Sequence, residues 1–347
     1  MASGNAMEIH DLHQAARAGL LAGLPAAALT VGRLTARNAA GNTPLHSAAR
    51  HGGLAALPPA VLTAETLALR NDSGYTPLHH AALGGHLDQI PPHFLTPPLL
   101  GVASNSGFTV FHVAAAHGHL GQLPPELITA GLMLLRTLLG NTLLHEAAEY
   151  GTLDRIPPAF LTAANLAQTN VAGETVLHVA VFNGHLDQIP AALLTAEALL
   201  RKTDAGDTVI HAAAISGHLE QIPAAVLTHD HLVLASKTGF TAIHAAAESG
   251  QLHKIPPASL TADLLLTRND NGDTPLHAAA YEGHFDQIPL RLLTLENLNV
   301  RNYDRVSVGR TAIARGFSHQ IPPALRPREP GPIGRFLIRL GAKTPPF

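Results

Sequence analysis

The side chain best equipped for chemistry in this 347-residue chain is histidine, present 23 times. Nine copies recur at a fixed spacing: His13, His46, His79, His112, His145, His178, His211, His244 and His277. Five more each follow a glycine, at His86, His119, His185, His218 and His284. Such series could make a metal ladder or a proton relay. Their regularity argues for scaffold instead, because a catalytic site is needed once, whereas one bonding job recurs in every copy of a repeated fold. That job is hydrogen bonding to backbone carbonyls between neighbouring turns and helices. His229 and His231 lie outside both series, but only Asp230 accompanies them, and a zinc site takes three or four ligands. Zero cysteines exclude disulfides, thiolate metal sites and cysteine nucleophiles together. The chain has neither a phosphate-binding glycine loop nor a G-x-S-x-G elbow. The reading is non-enzymatic, with no catalytic residue, metal or cofactor expected.

Composition bounds the alternatives. Apolar residues make up 46% of the chain and charged ones 14%, which excludes a charge-rich disordered tail. The formal charge of −3, from 22 basic and 25 acidic residues, lacks the footprint of a nucleic-acid binder. No apolar run approaches the ~20 residues that span a bilayer, so no membrane partner is expected. Residues 1–9 are read as a lead-in, in which Met1 to Ala6 look like an appended leader before a native start at Met7, without signal-peptide character. Cytoplasmic residence is the default that follows.

The elements that would position these side chains come from internal repetition. Thr43-Pro44-Leu45-His46 returns as Thr76-Pro77-Leu78-His79, Thr109-Val110-Phe111-His112 and Thr142-Leu143-Leu144-His145, and continues from Thr175, Thr208, Thr241 and Thr274, always 33 residues on. A degenerate copy begins at His10 and a last one near Ser307, giving about ten repeats starting near 10, 43, 76, 109, 142, 175, 208, 241, 274 and 307. They fill 10–340 as one repeat domain, with 341–347 as a tail.

In Thr274 to Val306, residues Leu276, Ala279 and Ala280 have the spacing of one helix face. Thr274 caps that helix and Pro275 suits its first turn. Gly283 stops it, and glycine holds this position in all ten repeats, from Gly19 to Gly316. Asn269-Asp270-Asn271-Gly272 forms a turn, or finger. No repeat can bury its own apolar face, and stacking makes the core continuous.

The pattern G-x-T-P-L-H-x-A-A-x-x-G-H at this period resembles the ankyrin repeat over roughly residues 10 to 340. The resemblance implies an all-α solenoid of stacked helix-turn-helix repeats with short β-turn fingers, serving protein–protein recognition. One departure is systematic: proline interrupts the second half of every repeat, at Pro25, Pro58, Pro91, Pro124, Pro157, Pro190, Pro223, Pro256, Pro289 and Pro322. Proline inside a helix costs about 3 kcal/mol, so the outer helix is expected to break into two pieces. One starts at the proline (Pro190-Ala191-Ala192-Leu193-Leu194) and one is capped by the threonine that follows in nine repeats (Thr195-Ala196-Glu197-Ala198-Leu199). Asp88, Asp154, Asp187, Glu220 and Asp286, at one register before the proline, read as helix-start carboxylates. Arg328, Arg335, Arg339 and Lys343 surround Phe336, Leu337, Ile338 and Leu340, either as a closing helix over the last repeat or as a basic amphipathic element.

Function should lie where the repeat leaves a position free. By the family resemblance, the finger ends and the end of the first helix line a concave face. These slots hold Tyr75, Phe108, Tyr150, Phe182, Phe240 and Tyr281, six of the fourteen aromatic residues, joined by Leu138, Leu139 and Ile215. The same slots carry Asp72, Glu149, Glu174, Asp204, Asp207, Glu248, Asp270, Asp273 and Glu282 against the cations Arg50 and Lys237. Aromatic rings among one sign of charge suit a recognition surface. The expected partner is a protein or extended peptide, basic with apolar anchors. The bland alternative packs these rings between fingers and leaves the acids to solvent. A second function class is a structural spacer or self-associating element acting through its ends.

Overall fold

The computed structural model describes residues 9–326. Arg328 to Lys343, and the closing segment expected there, lie outside the described residues. The chain forms two compact bodies, one ending at Asp204 and one beginning at Ala205. The described residues are helical without strands, and three isolated bridges (Thr169 with Thr175, Ala235 with Thr241, Arg301 with Ser307) close individual fingers.

Each repeat contributes one regular helix. In the first body these are α1 (Ile9–Arg17), α2 (Pro44–Arg50), α3 (Pro77–Gly84), α4 (Val110–Ala116), α5 (Leu143–Tyr150) and α6 (Val176–Phe182). In the second they are α7 (Val209–Ser216), α8 (Ala242–Glu248), α9 (Pro275–Glu282) and α10 (Val308–Arg315). Within each body every helix packs on the next. Leu276, Ala279 and Ala280 are fully buried, as are Leu78, Ala81 and Ala82, so the alanine pairs let successive helices approach closely. The threonine caps, the first-turn proline and the stopping glycine are as the sequence predicts. Thr274 precedes Pro275 at the start of α9, and Gly283 ends it at φ 86°, where its N–H reaches the Ala279 carbonyl.

The proline-interrupted half differs in detail from the expected two pieces. It consists of three short turns, for example 3-10 turns at Leu87–Gln89 and Pro92–Phe94 and a four-residue α-turn at Pro97–Leu100. The proline precedes its turn rather than opening it. Pro190 is extended (φ −52°, ψ 128°), and the turn begins at Ala191. Proline also forces the residue before it out of helix, and Ile90 ahead of Pro91 is extended accordingly (ψ 128°). The unexpected turn carries the recurrent carboxylate, such as Asp88, at its middle residue. Its free backbone donors are satisfied by the next repeat: Gln122 Oε1 accepts the Leu87 N–H at 3.0 Å, and Gln188 Oε1 the Leu153 N–H at 2.9 Å. The threonine piece forms as expected at Thr195, whose hydroxyl accepts the Ala198 N–H at 3.2 Å. After Thr129 it is replaced by a 3-10 turn at Leu132–Leu134.

Candidate functional site

The recurrent histidine is the third residue of its helix and works in two directions. His46 Nδ1 accepts the Thr43 N–H at 3.1 Å and lies 2.8 Å from the Thr43 hydroxyl. A backbone N–H can only donate, so Nδ1 is bare and the ring proton sits on Nε2. Nε2 donates to the Tyr75 carbonyl, 29 residues on, at 3.1 Å. The same bridge runs from His79 to Phe108 (2.9 Å) and from His145 to Glu174 (3.1 Å). In the second body it runs from His211 to Phe240 (3.3 Å), His244 to Asp273 (3.0 Å) and His277 to Val306 (3.2 Å). These six scaffold histidines therefore hold the residue at the base of the following finger, a slot that includes the candidates Tyr75, Phe108, Glu174 and Phe240. His119 and His185, after the glycine, bond the carbonyls of Ala82 (2.7 Å) and Ala148 (2.9 Å). Burial lowers the imidazole pKa of His46, His79, His112 and His145 to about 4, and lowers those of His244 and His277 as well.

The finger bases, the middle of each helix and the helix ends form neighbouring rows. In the second body they enclose a groove of about 450 Å³. Phe240, Ala278, Val306 and Ala314 supply apolar wall, Glu248 and Asp273 supply carboxylates, and Tyr281, Arg315, His244 and His277 also line it. The Tyr281 ring is half exposed. The Arg315 guanidinium lies over its face, with Cζ 3.3 Å from the centroid, and Arg315 Nε donates to the Tyr281 carbonyl at 3.3 Å. Asn302 Nδ2 donates to Asp273 Oδ1 at 2.8 Å, and the Asp273 N–H is held by Asn269 Oδ1 at 3.0 Å.

The fingers, the capped helices and the broken outer segment recur throughout both bodies, and the ankyrin repeat family profile matches residues 271–303, the stretch that contains α9. This is an ankyrin-repeat protein. Ankyrin repeats generally mediate protein–protein interaction and are typically non-enzymatic. No curated protein matches the chain. Among the described residues, no group of three His, Asp or Glu is placed to hold a metal ion, and no helix is long and apolar enough to cross a membrane.

The twelve candidates of the ankyrin surface divide between the bodies. Phe240, Glu248 and Tyr281 meet in the one groove, while Asp207, Ile215 and Glu282 belong to the same body without lining it. In the first body Tyr150 and Phe182 are both 54% exposed, and Glu149 is exposed beside Tyr150. Tyr75 and Phe108 are half-buried, each with its ring on a scaffold histidine (5.1 Å to His79 and 6.0 Å to His112). Glu174 turns aside to accept from Asn170 Nδ2 at 2.8 Å. Sequence reasoning missed Arg315, which lies outside the residue range it weighed, and also His80 and Glu146. The last two hold the mid-helix slot that carries Val113, Val179, Ala212, Ala245 and Ala278 in five other repeats and the uncharged Gln14, Ser47 and Thr311 in the rest, so their signal was a titratable residue in a register otherwise free of them.

Glu146 is 1% exposed, with one hydrogen bond, from Asn141 Nδ2 at 3.0 Å. Burial raises its carboxyl pKa to about 7, well above the ordinary range. Below pH 4.5 both folded and unfolded chains keep this proton. As pH rises toward 7 the unfolded chain loses it first, and stability falls. Glu146→Gln keeps an acceptor for Asn141 without the ionisation. Urea denaturation should find the variant about 3 kcal/mol more stable than the parent at pH 8, with the difference nearly gone at pH 4.5. Equal stability at both pH values would mean that the carboxylate is solvated.

Proposed function

We propose that this protein binds an extended polypeptide segment along the row of finger bases and helix ends, with the groove of the second body as its principal seat. The observation that carries this reading is that Phe240, Glu248 and Tyr281 share one open groove of about 450 Å³. Aromatic wall supplies contact area and the carboxylates supply charge selectivity, which favours a basic segment with apolar anchors. The scaffold histidines keep this row in place before a partner arrives, so little ordering is left to oppose binding.

The test is selection of a displayed random dodecapeptide library on the purified protein. Selected peptides are then titrated against the parent and the Phe240→Ala/Tyr281→Ala variant. Affinity should fall at least tenfold in the variant, with the circular dichroism spectrum unchanged. Equal affinity would place the binding face elsewhere.

A further inference from the structure

Building on that groove, we propose that the face of Tyr281 is a seat for a guanidinium group, that Arg315 occupies it as a tethered stand-in, and that the partner segment displaces Arg315 with an arginine of its own, next to an apolar residue. The geometry of the free protein already displays the complex in miniature. A guanidinium carbon lies over the ring, 3.3 Å from its centroid, where the ring quadrupole attracts the cation. Glu248 occupies the position in α8 that Tyr281 occupies in α9, so a carboxylate stands beside the ring in the same row.

Arg315 makes poor use of this surrounding charge. The ion pairs among the described residues are Arg37–Asp72, Arg155–Asp154 and Lys254–Glu220, so neither Glu248 nor Asp273 is neutralised by a cation, and the Asp273 carboxylate accepts only from the uncharged Asn302 amide. His244 and His277 in the lining are held neutral by burial and do not compensate them. Arg315 is the last residue of α10 and is exposed, so its side chain can leave for solvent without disturbing a buried contact. Its departure leaves two carboxylates in the groove and an uncovered ring. An incoming arginine fits both, while Phe240, Ala278, Val306 and Ala314 receive its apolar neighbour. Lysine is a weaker candidate, because its ammonium is a hydrated point charge that cannot lie flat on a ring. An acidic segment would face Glu248 and Asp273 directly.

The inference carries an unusual expectation: shortening a lining side chain should strengthen binding. The probes are the peptides selected from the dodecamer library, each also made with citrulline, the neutral isostere, in place of arginine. They are titrated against the parent, Arg315→Ala and Glu248→Gln, with melting temperatures confirming that each variant is folded. The selected peptides should carry arginine beside an apolar residue and lose at least tenfold in affinity as citrulline forms. They should bind Arg315→Ala at least fivefold more tightly than the parent, and Glu248→Gln about threefold more weakly. Peptides that require Phe240 and Tyr281 but lack arginine, tolerate citrulline, or bind Arg315→Ala no better than the parent would overturn the seat and leave the groove standing. Peptides indifferent to Phe240 and Tyr281, or a selection that yields none, would overturn groove and seat together.

Discussion

Acidification from pH 7.5 to pH 4.5 is expected to unfold the first body cooperatively, with a midpoint at about pH 5. Four of its histidines, His46, His79, His112 and His145, are fully buried, and burial lowers each imidazole to about pH 4. His80, whose Nδ1 finds no hydrogen-bond partner, is lowered further, to about 3. Protonation of the scaffold histidines would also put a hydrogen on Nδ1, where the threonine N–H now donates. Above pH 6.5 neither folded nor unfolded chain holds the extra protons, and stability is complete. Between 6.5 and 4 the unfolded chain takes them up and the folded chain does not, so stability falls with pH; the loss is complete below about 4 for the four scaffold rings and below about 3 for His80. Each depressed imidazole contributes about 2 kcal/mol of loss by pH 5, so the five together approach the whole stability of an ordinary domain, about 5–15 kcal/mol. Protonation of Glu146 over the same range returns about 2 kcal/mol and does not change the outcome. Circular dichroism at 222 nm followed against pH should show a transition steep enough to require uptake of several protons. A helical signal unchanged down to pH 3.5 would mean that these rings are hydrated.

The second large effect is expected at Gly84. It is the last residue of α3, and a Cβ there would collide with the carbonyl oxygen of Arg50 in the preceding repeat. Its backbone is unstrained, so the restriction comes only from how closely α2 and α3 approach. The same register elsewhere holds His51, His117 and Tyr150, which shows that the spacing is particular to this pair. Gly84→Ala must push α3 outward, moving His79 against the Phe108 carbonyl it holds. A cost of about 3 kcal/mol is expected, at the upper end for overpacking. Gly121→Ala is the control, because a Cβ there meets nothing within 4 Å and φ is not left-handed; that variant should stay within about 0.5 kcal/mol of the parent. Urea midpoints measure both. An unshifted midpoint for Gly84→Ala would show that the two helices separate without loss.

What could be read from sequence was what the chain says many times. The threonine cap, the stopping glycine and the carbonyl-bonding histidine are each solved once by local geometry and then repeated, so period alone exposes them. The prolines announced a broken outer helix, but not its third turn. That turn depends on glutamine side chains arriving from the following repeat, 35 residues away. One-off features were harder still. Arg315 reaches Tyr281 across 34 residues, and Gly84 meets Arg50 across a similar interval. Which side chains meet at that distance is decided by how closely two particular helices sit, and no single repeat encodes it. For the same reason a row of aromatic and acidic residues was visible as a row, whereas its division between two bodies was not.

The hydrogen bonds that tie one repeat to the next have a narrow range of sequence separation. His46 reaches 29 residues ahead, Arg37 33, Gln89 35 behind and His119 37 behind. A nascent chain can therefore complete each layer as soon as a few dozen further residues emerge, and the loop-closure entropy of every addition is the same. Such a molecule has a low contact order and no late, long-range step to wait for. Under mechanical tension the same economy runs in reverse. Within each body the outermost layer can peel away alone, lengthening the tether by about 115 Å for each repeat of extended chain.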